Sequence, residues 1–140
     1  MMTRHLTIGA LMALTACIVT RPVMAAAADP QVHSQDGLSY VSGGIGDEER
    51  RAIETMSNRF NLKLTMALKT GDFVGDTRVR IQDSQSQTLL DTVADGPLFL
   101  AQLKPGTYTI TCSLNGKELK ETAHIASGKQ EQLVFTWTAE

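Results

Sequence analysis

The chain has 140 residues, 42% of them hydrophobic, with 13 Lys and Arg against 15 Asp and Glu for a net charge of −2. That length is enough for one domain with one core. The small acidic excess excludes a nucleic-acid binder, which carries a basic excess on one face.

The N-terminus reads as an export signal over residues 1–25. Arg4 gives a positive start, residues 6–19 are apolar or small and uncharged, and Val23-Met24-Ala25 places small residues where a signal peptidase reads, so the expected cut follows Ala25. The run is short for a bilayer span, which takes roughly 20 apolar residues, and no later segment approaches that length. A second reading stands beside it. Leu14-Thr15-Ala16-Cys17 fits a lipobox, in which Cys17 is lipidated and anchors the protein to a membrane. Either route places the protein in the periplasm or at the cell envelope. Removing Arg4 and Arg21 leaves 11 of the 13 basic side chains against all 15 acidic ones, a net charge of −4. Cys112 is then without an intrachain partner in an oxidising compartment, so packing rather than a disulfide must hold the domain.

Residues 26–46 are poor in periodicity and read as a flexible leader ending in the loop Ser42-Gly43-Gly44-Ile45-Gly46. Residues 47–60 predict a helix. Ile53, Met56 and Phe60 make an apolar stripe, Asp47, Glu48 and Glu49 favour its N-terminal end, and Arg59 favours its C-terminal end. From Leu62 the apolar period becomes two, as strands require. Strands are expected at 62–69, 77–82, 89–93, 98–100, 107–114, 117–125 and 133–137. Turns are expected at Asp95-Gly96-Pro97, at Ser127-Gly128 and, most strongly, at Asn115-Gly116. Seven short strands divided by turns predict an antiparallel β-sandwich over 61–138.

Within that span, Val79-Arg80-Ile81-Gln82-Asp83, Asp95-Gly96-Pro97-Leu98-Phe99-Leu100 and Leu103-Lys104-Pro105-Gly106-Thr107-Tyr108 resemble the carboxypeptidase regulatory-like domain. The N-terminal part is similar to small exported proteobacterial proteins that carry this domain. The resemblance implies a mainly β fold: a seven-stranded, antiparallel, transthyretin-like (prealbumin-like) sandwich preceded by one short α-helix. It implies no activity, because sandwiches host many unrelated functions. Pro105 and Gly106 are expected to form a tight turn. Tyr108 is expected to fill the core edge and bond back to the upstream backbone, and Trp137 to face inward.

The chemistry-bearing residues are sparse. Some transthyretin-like proteins are hydroxyisourate hydrolases with catalytic His and Arg residues and a Tyr-Arg-Gly-Ser tail, whereas this chain closes on Phe135-Thr136-Trp137-Thr138. After the signal only His33 and His124 remain, which supports neither a triad nor a zinc site of three or four ligands. Lys63 has no Asn on the last strand to form an isopeptide bond. Gly43-Gly44-Ile45-Gly46 lacks the Lys of a phosphate loop and is followed by three acids. Thr107, Thr109 and Thr111 suit a solvated strand face, and Cys112 has the inward parity of a core thiol. These features predict a non-enzymatic module with no catalytic, metal or cofactor residues. Its candidate contact is a basic stripe of Lys63, Lys69, Arg78 and Arg80, formed if the first two strands pair. That stripe would meet an anionic envelope polymer or an acidic protein surface.

Overall fold

The computed structural model describes residues 30–139. The expected signal, with Arg4, Cys17 and the cut after Ala25, lies outside the described residues. Nine strands, one helix and a 3-10 turn follow in the order β1 (His33–Gln35), β2 (Leu38–Gly43), α1 (Asp47–Met56), the 3-10 turn (Ser57–Arg59), β3 (Leu62–Leu68), β4 (Arg78–Gln82), β5 (Thr88–Val93), β6 (Leu98–Gln102), β7 (Gly106–Leu114), β8 (Lys117–Ile125) and β9 (Glu131–Trp137). They form a five-stranded sheet ordered β1-β2-β6-β3-β9 and a four-stranded sheet ordered β5-β4-β7-β8. Among the described residues no helix is long and apolar enough to cross a membrane.

Period-two patterning explains the facing sheets. Leu62, Leu64 and Met66 of β3, Phe99 and Ala101 of β6, and Phe135 and Trp137 of β9 point to the interior. They meet Val79, Ile81, Leu90, Tyr108, Ile110, Cys112 and Ala123 from the second sheet. A second, smaller core lies on the other side of the five-stranded sheet. There Ile53 of α1 and Phe60 pack on Val41, Leu98 and Leu100. The molecule therefore has three layers: helix, mixed sheet and antiparallel sheet.

Three expectations are corrected. The sandwich is neither seven-stranded nor wholly antiparallel, because β1 and β2 add a hairpin and β9 runs parallel to β3 from Leu62↔Glu131 to Leu68↔Trp137. The segment expected as a flexible leader supplies those two extra strands. Asp36 (φ 51°) and Gly37 (φ 82°) make their two-residue turn, and β2 pairs with β6 from Ser39↔Gln102 to Gly43↔Leu98. The helix is also shorter than expected and tightens into the 3-10 turn. The Gln130 side-chain amide donates to the carbonyls of Ser57 (2.8 Å), which also accepts the Phe60 N–H, and of Phe60 (3.1 Å), at the end where a helix leaves acceptors open.

Asn61 joins three strands. Its side chain copies a backbone pairing: Nδ2 donates to the Leu103 carbonyl (2.6 Å), and the Leu103 N–H donates to Oδ1 (2.8 Å). Its own carbonyl accepts the Glu131 N–H at 2.9 Å, where β9 begins. Asn61→Ala leaves both backbone groups of the buried Leu103 unpaired and should cost about 1–3 kcal/mol in urea unfolding. Tyr108→Phe, which removes one bond from the fold edge, should cost about 1 kcal/mol by the same measurement. Unchanged midpoints would remove either residue from this role.

Candidate functional site

The four expected basic residues do not form a stripe. Their strands, β3 and β4, are consecutive in sequence but lie in different sheets, so Lys63 and Lys69 are separated from Arg78 and Arg80 by the sandwich itself. The loop between them turns the chain over the sheet end instead of making a hairpin. Three of the four charges also have a local task. Lys63 Nζ lies 2.7 and 2.9 Å from the Glu54 carboxylate, tying the sheet to α1. Arg78 forms a two-pronged pair with Asp91 (2.8 and 2.9 Å), and Arg80 lies 3.6 Å from the same carboxylate. That hydrogen-bonded guanidinium holds the Asp91 carboxyl below the usual carboxylate range.

The expected turn-and-corner residues sit together. The Tyr108 hydroxyl donates to the Lys104 carbonyl at 2.6 Å, across the Pro105-Gly106 segment, and burial raises the phenol pKa. Gly106 begins β7 in a nearly extended conformation and lies beside the Tyr108 ring. Trp137 is buried, and its Nε1–H donates to the Lys117 carbonyl at 3.0 Å, closing the seam between β9 and β8. The cleft beside Tyr108 holds about 160 Å³, below the ~300 Å³ of a drug-sized ligand pocket.

The two described histidines stay apart from one another. His33 stacks on Tyr40 at 5.2 Å, and His124 approaches Thr107 Oγ1 at 3.4 Å. Among the described residues no three His, Cys, Asp or Glu side chains converge as metal ligands would.

The feature that sequence reading missed lies at the end of the sandwich where β2 stops, β3 leaves and β6 begins. Residues 44–46, the 69–77 connection and the turn at 95–97 meet there. Asp95 N–H donates to Ser42 Oγ (3.1 Å), and Met66 N–H donates to the Pro97 carbonyl (2.8 Å). Gly96 lies so close to Gly43 that a Cβ would overlap its backbone, so only glycine lets these loops touch. From this platform Ile45 and Phe73 project, 67% and 49% exposed. Arg50, one turn into α1, stacks its guanidinium 4.8 Å from the Phe73 ring centre and is pinned by Asp47 at 2.9 Å. Arg50 Nε is buried without a partner. Asp47 and Glu48 at the start of α1, and Asp72 and Asp76 on the 69–77 connection, are exposed beside them. The result is two exposed apolar side chains, one of them (Phe73) stacked by a guanidinium, with acids at the edge. The sequence signal for it is slight: two large apolar residues inside glycine- and aspartate-rich loops.

No family model, curated protein or solved structure matches the chain.

Cys112 is fully buried on β7, opposite Val79 and Leu119, and burial pushes its thiol from 9.0 up to about 12. In the unfolded chain the thiol ionises first. Its contribution to stability is therefore complete below about pH 9 and is lost as pH rises toward 12, at about 1.4 kcal/mol per unit. The alkaline slope should flatten in Cys112→Ala, followed by denaturant titration at stepped pH. Iodoacetamide should label the wild-type protein only when it unfolds, which mass spectrometry would read directly.

Proposed function

We propose that this protein is an exported, non-enzymatic β-sandwich that works as an interaction module in the periplasm or cell envelope. It engages a protein partner through the apex formed by Ile45, Phe73 and Arg50. The observation that carries this reading is an exposed phenylalanine, Phe73, stacked by the Arg50 guanidinium, with a second exposed apolar side chain, Ile45, on the adjoining loop. Aromatic and Arg side chains held rigidly are the groups that dominate protein–protein binding energy, because little further ordering is needed on contact. The acidic edge of Asp47, Glu48, Asp72 and Asp76 suits a partner with an apolar centre and a basic rim. This polarity is the reverse of the one expected from the four basic residues, which are divided between two faces.

The carboxypeptidase regulatory-like, transthyretin-like assignment is part of the same proposal. Three features support it: the seven strands from Leu62 onward, their division between two packed sheets, and the Lys104–Tyr108 hydrogen bond at the resembling segment. Export rests on the N-terminal pattern, with lipidation at Cys17 as the alternative mode of delivery. Palmitate labelling separates the anchored form from the cleaved one.

A photo-reactive amino acid placed at Phe73 or at Ile45 should give the same discrete cross-linked adduct in intact cells. The same probe at Gln85, on the turn at the opposite end of the sandwich, should give none. Phe73→Asp and Ile45→Asp should each remove the adduct obtained from the other position while leaving the melting temperature within a few degrees. Equal adducts from Gln85, or adducts indifferent to both substitutions, would overturn the apex as the docking site.

A further inference from the structure

We infer that β9 presents a free sheet edge built to pair with the same edge of a second copy of this chain, giving a two-fold dimer through a continuous ten-stranded sheet. This inference is independent of the apex and concerns the opposite margin of the five-stranded sheet from β1.

The direction of the backbone groups sets which residues face outward. The Glu131 N–H donates to the Asn61 carbonyl, and the Trp137 carbonyl accepts from the Lys69 N–H, so the alternate residues from 131 to 137 spend their main-chain groups on β3. By alternation, Gln132, Val134 and Thr136 direct theirs to the free edge. Among the described residues no strand pairs with that edge.

The four sheet margins are not equally protected. β1 has three residues, all exposed and polar. β5 carries Asp91 and meets β4 through an irregular register at Ile81/Gln82. β8 carries Lys117, Glu118, Lys120 and Glu121. Short length, charge and bulges are the devices that stop strand edges from pairing. β9 is neither short nor bulged: its seven residues are regular, and past Glu131 at its start no side chain is charged. Val134, at the middle of the edge, is 64% exposed.

A second copy fits this edge better than a foreign strand because the edge is its own complement. Antiparallel pairing about Val134 sets Val134 against Val134 of the other chain and Gln132 against its Thr136 on the outer face. It sets Leu133 against Phe135 on the inner face. No like charges meet, and about six inter-chain backbone hydrogen bonds form. Edge pairing alone covers less than the ~1,600 Å² of a standard interface, so the dimer depends on concentration.

Sedimentation velocity on the purified protein over a concentration series should show a monomer–dimer equilibrium. Val134→Lys places two like charges at the two-fold axis and should weaken association about ten-fold or more. Thr136→Pro removes an edge-facing N–H that the fold does not use, and should act in the same direction. Val93→Lys, at a comparably exposed valine on β5, should leave association unchanged. Circular dichroism confirms that each variant is folded. A wild-type protein that stays monomeric throughout the series, or a dimer indifferent to Val134→Lys and Thr136→Pro, would overturn the inference.

Discussion

Strand β6 must be buried on both faces, and much of the architecture answers to that requirement. Leu98 and Leu100 point one way, Phe99 and Ala101 the other, and all four are shielded from water. A sandwich of two sheets can cover only one of those faces. The other is covered by α1 through Ile53 and by Phe60, with Val41 of β2 completing the layer. Burial of a Leu or Ile side chain contributes roughly 1.5–3 kcal/mol. Leaving Leu98, Leu100 and Val41 bare would therefore forgo a large part of the margin on which a domain of this size stands. The residues before the sandwich are thus part of its folding unit.

The same requirement explains where sequence reading succeeded and failed. β3, β7 and β8 alternate because one face is the more open, so their period of two was visible, and Asn115-Gly116 fixed one hairpin; Thr111, expected on the solvated face of β7, is however buried with its hydroxyl unpaired. β2 has Leu38 and Tyr40 directed to the main core and Val41 to the helix. With both faces covered, alternation disappears and the segment resembles a leader. The Asp36-Gly37 turn was present in the sequence, but it had no visible strand on either side to frame it. The run Leu98-Phe99-Leu100-Ala101 carried the missing information, since a continuous apolar strand is one covered on both sides.

Sheet membership was less legible than strand position. Parity within a strand is local, whereas the choice of partner is made across the whole chain. Lys63, Arg78 and Arg80 lie on the outer faces of their strands and Lys69 in the turn after β3, yet those strands joined different sheets. The charges of Lys63, Arg78 and Arg80 found Glu54 and Asp91 instead of one another. The parallel pairing of β3 with β9 spans most of the sandwich in sequence and is set by Asn61, whose carbonyl receives β9 and whose side chain holds Leu103. A single asparagine between a helix and a strand carries no pattern that announces such a role. The apex escaped for a related reason. Ile45 and Phe73 are distant in sequence, and only the touching glycines of the 43–46 and 95–97 segments bring their loops to one platform.

The extent of the helical cover also decides what the rest of the outer sheet face can be. α1 and Phe60 lie over β2 and β6, and Lys63 of β3 marks the border, reaching to Glu54 on the helix. Beyond that border the outer face of β9 meets solvent, and Gln132 and Thr136 have the polarity such a position calls for. Gln130 and Gln132 are themselves linked, at 2.9 Å, continuing the helix-end contacts onto the strand. Val134 departs from this pattern, since it is large, apolar and uncovered in the middle of an otherwise polar row. On a strand with one neighbour already in place, that residue and the unpaired main-chain groups around it belong to the same surface. Covering one by antiparallel addition covers the other, whereas a helix laid on the face would leave the hydrogen-bonding edge open.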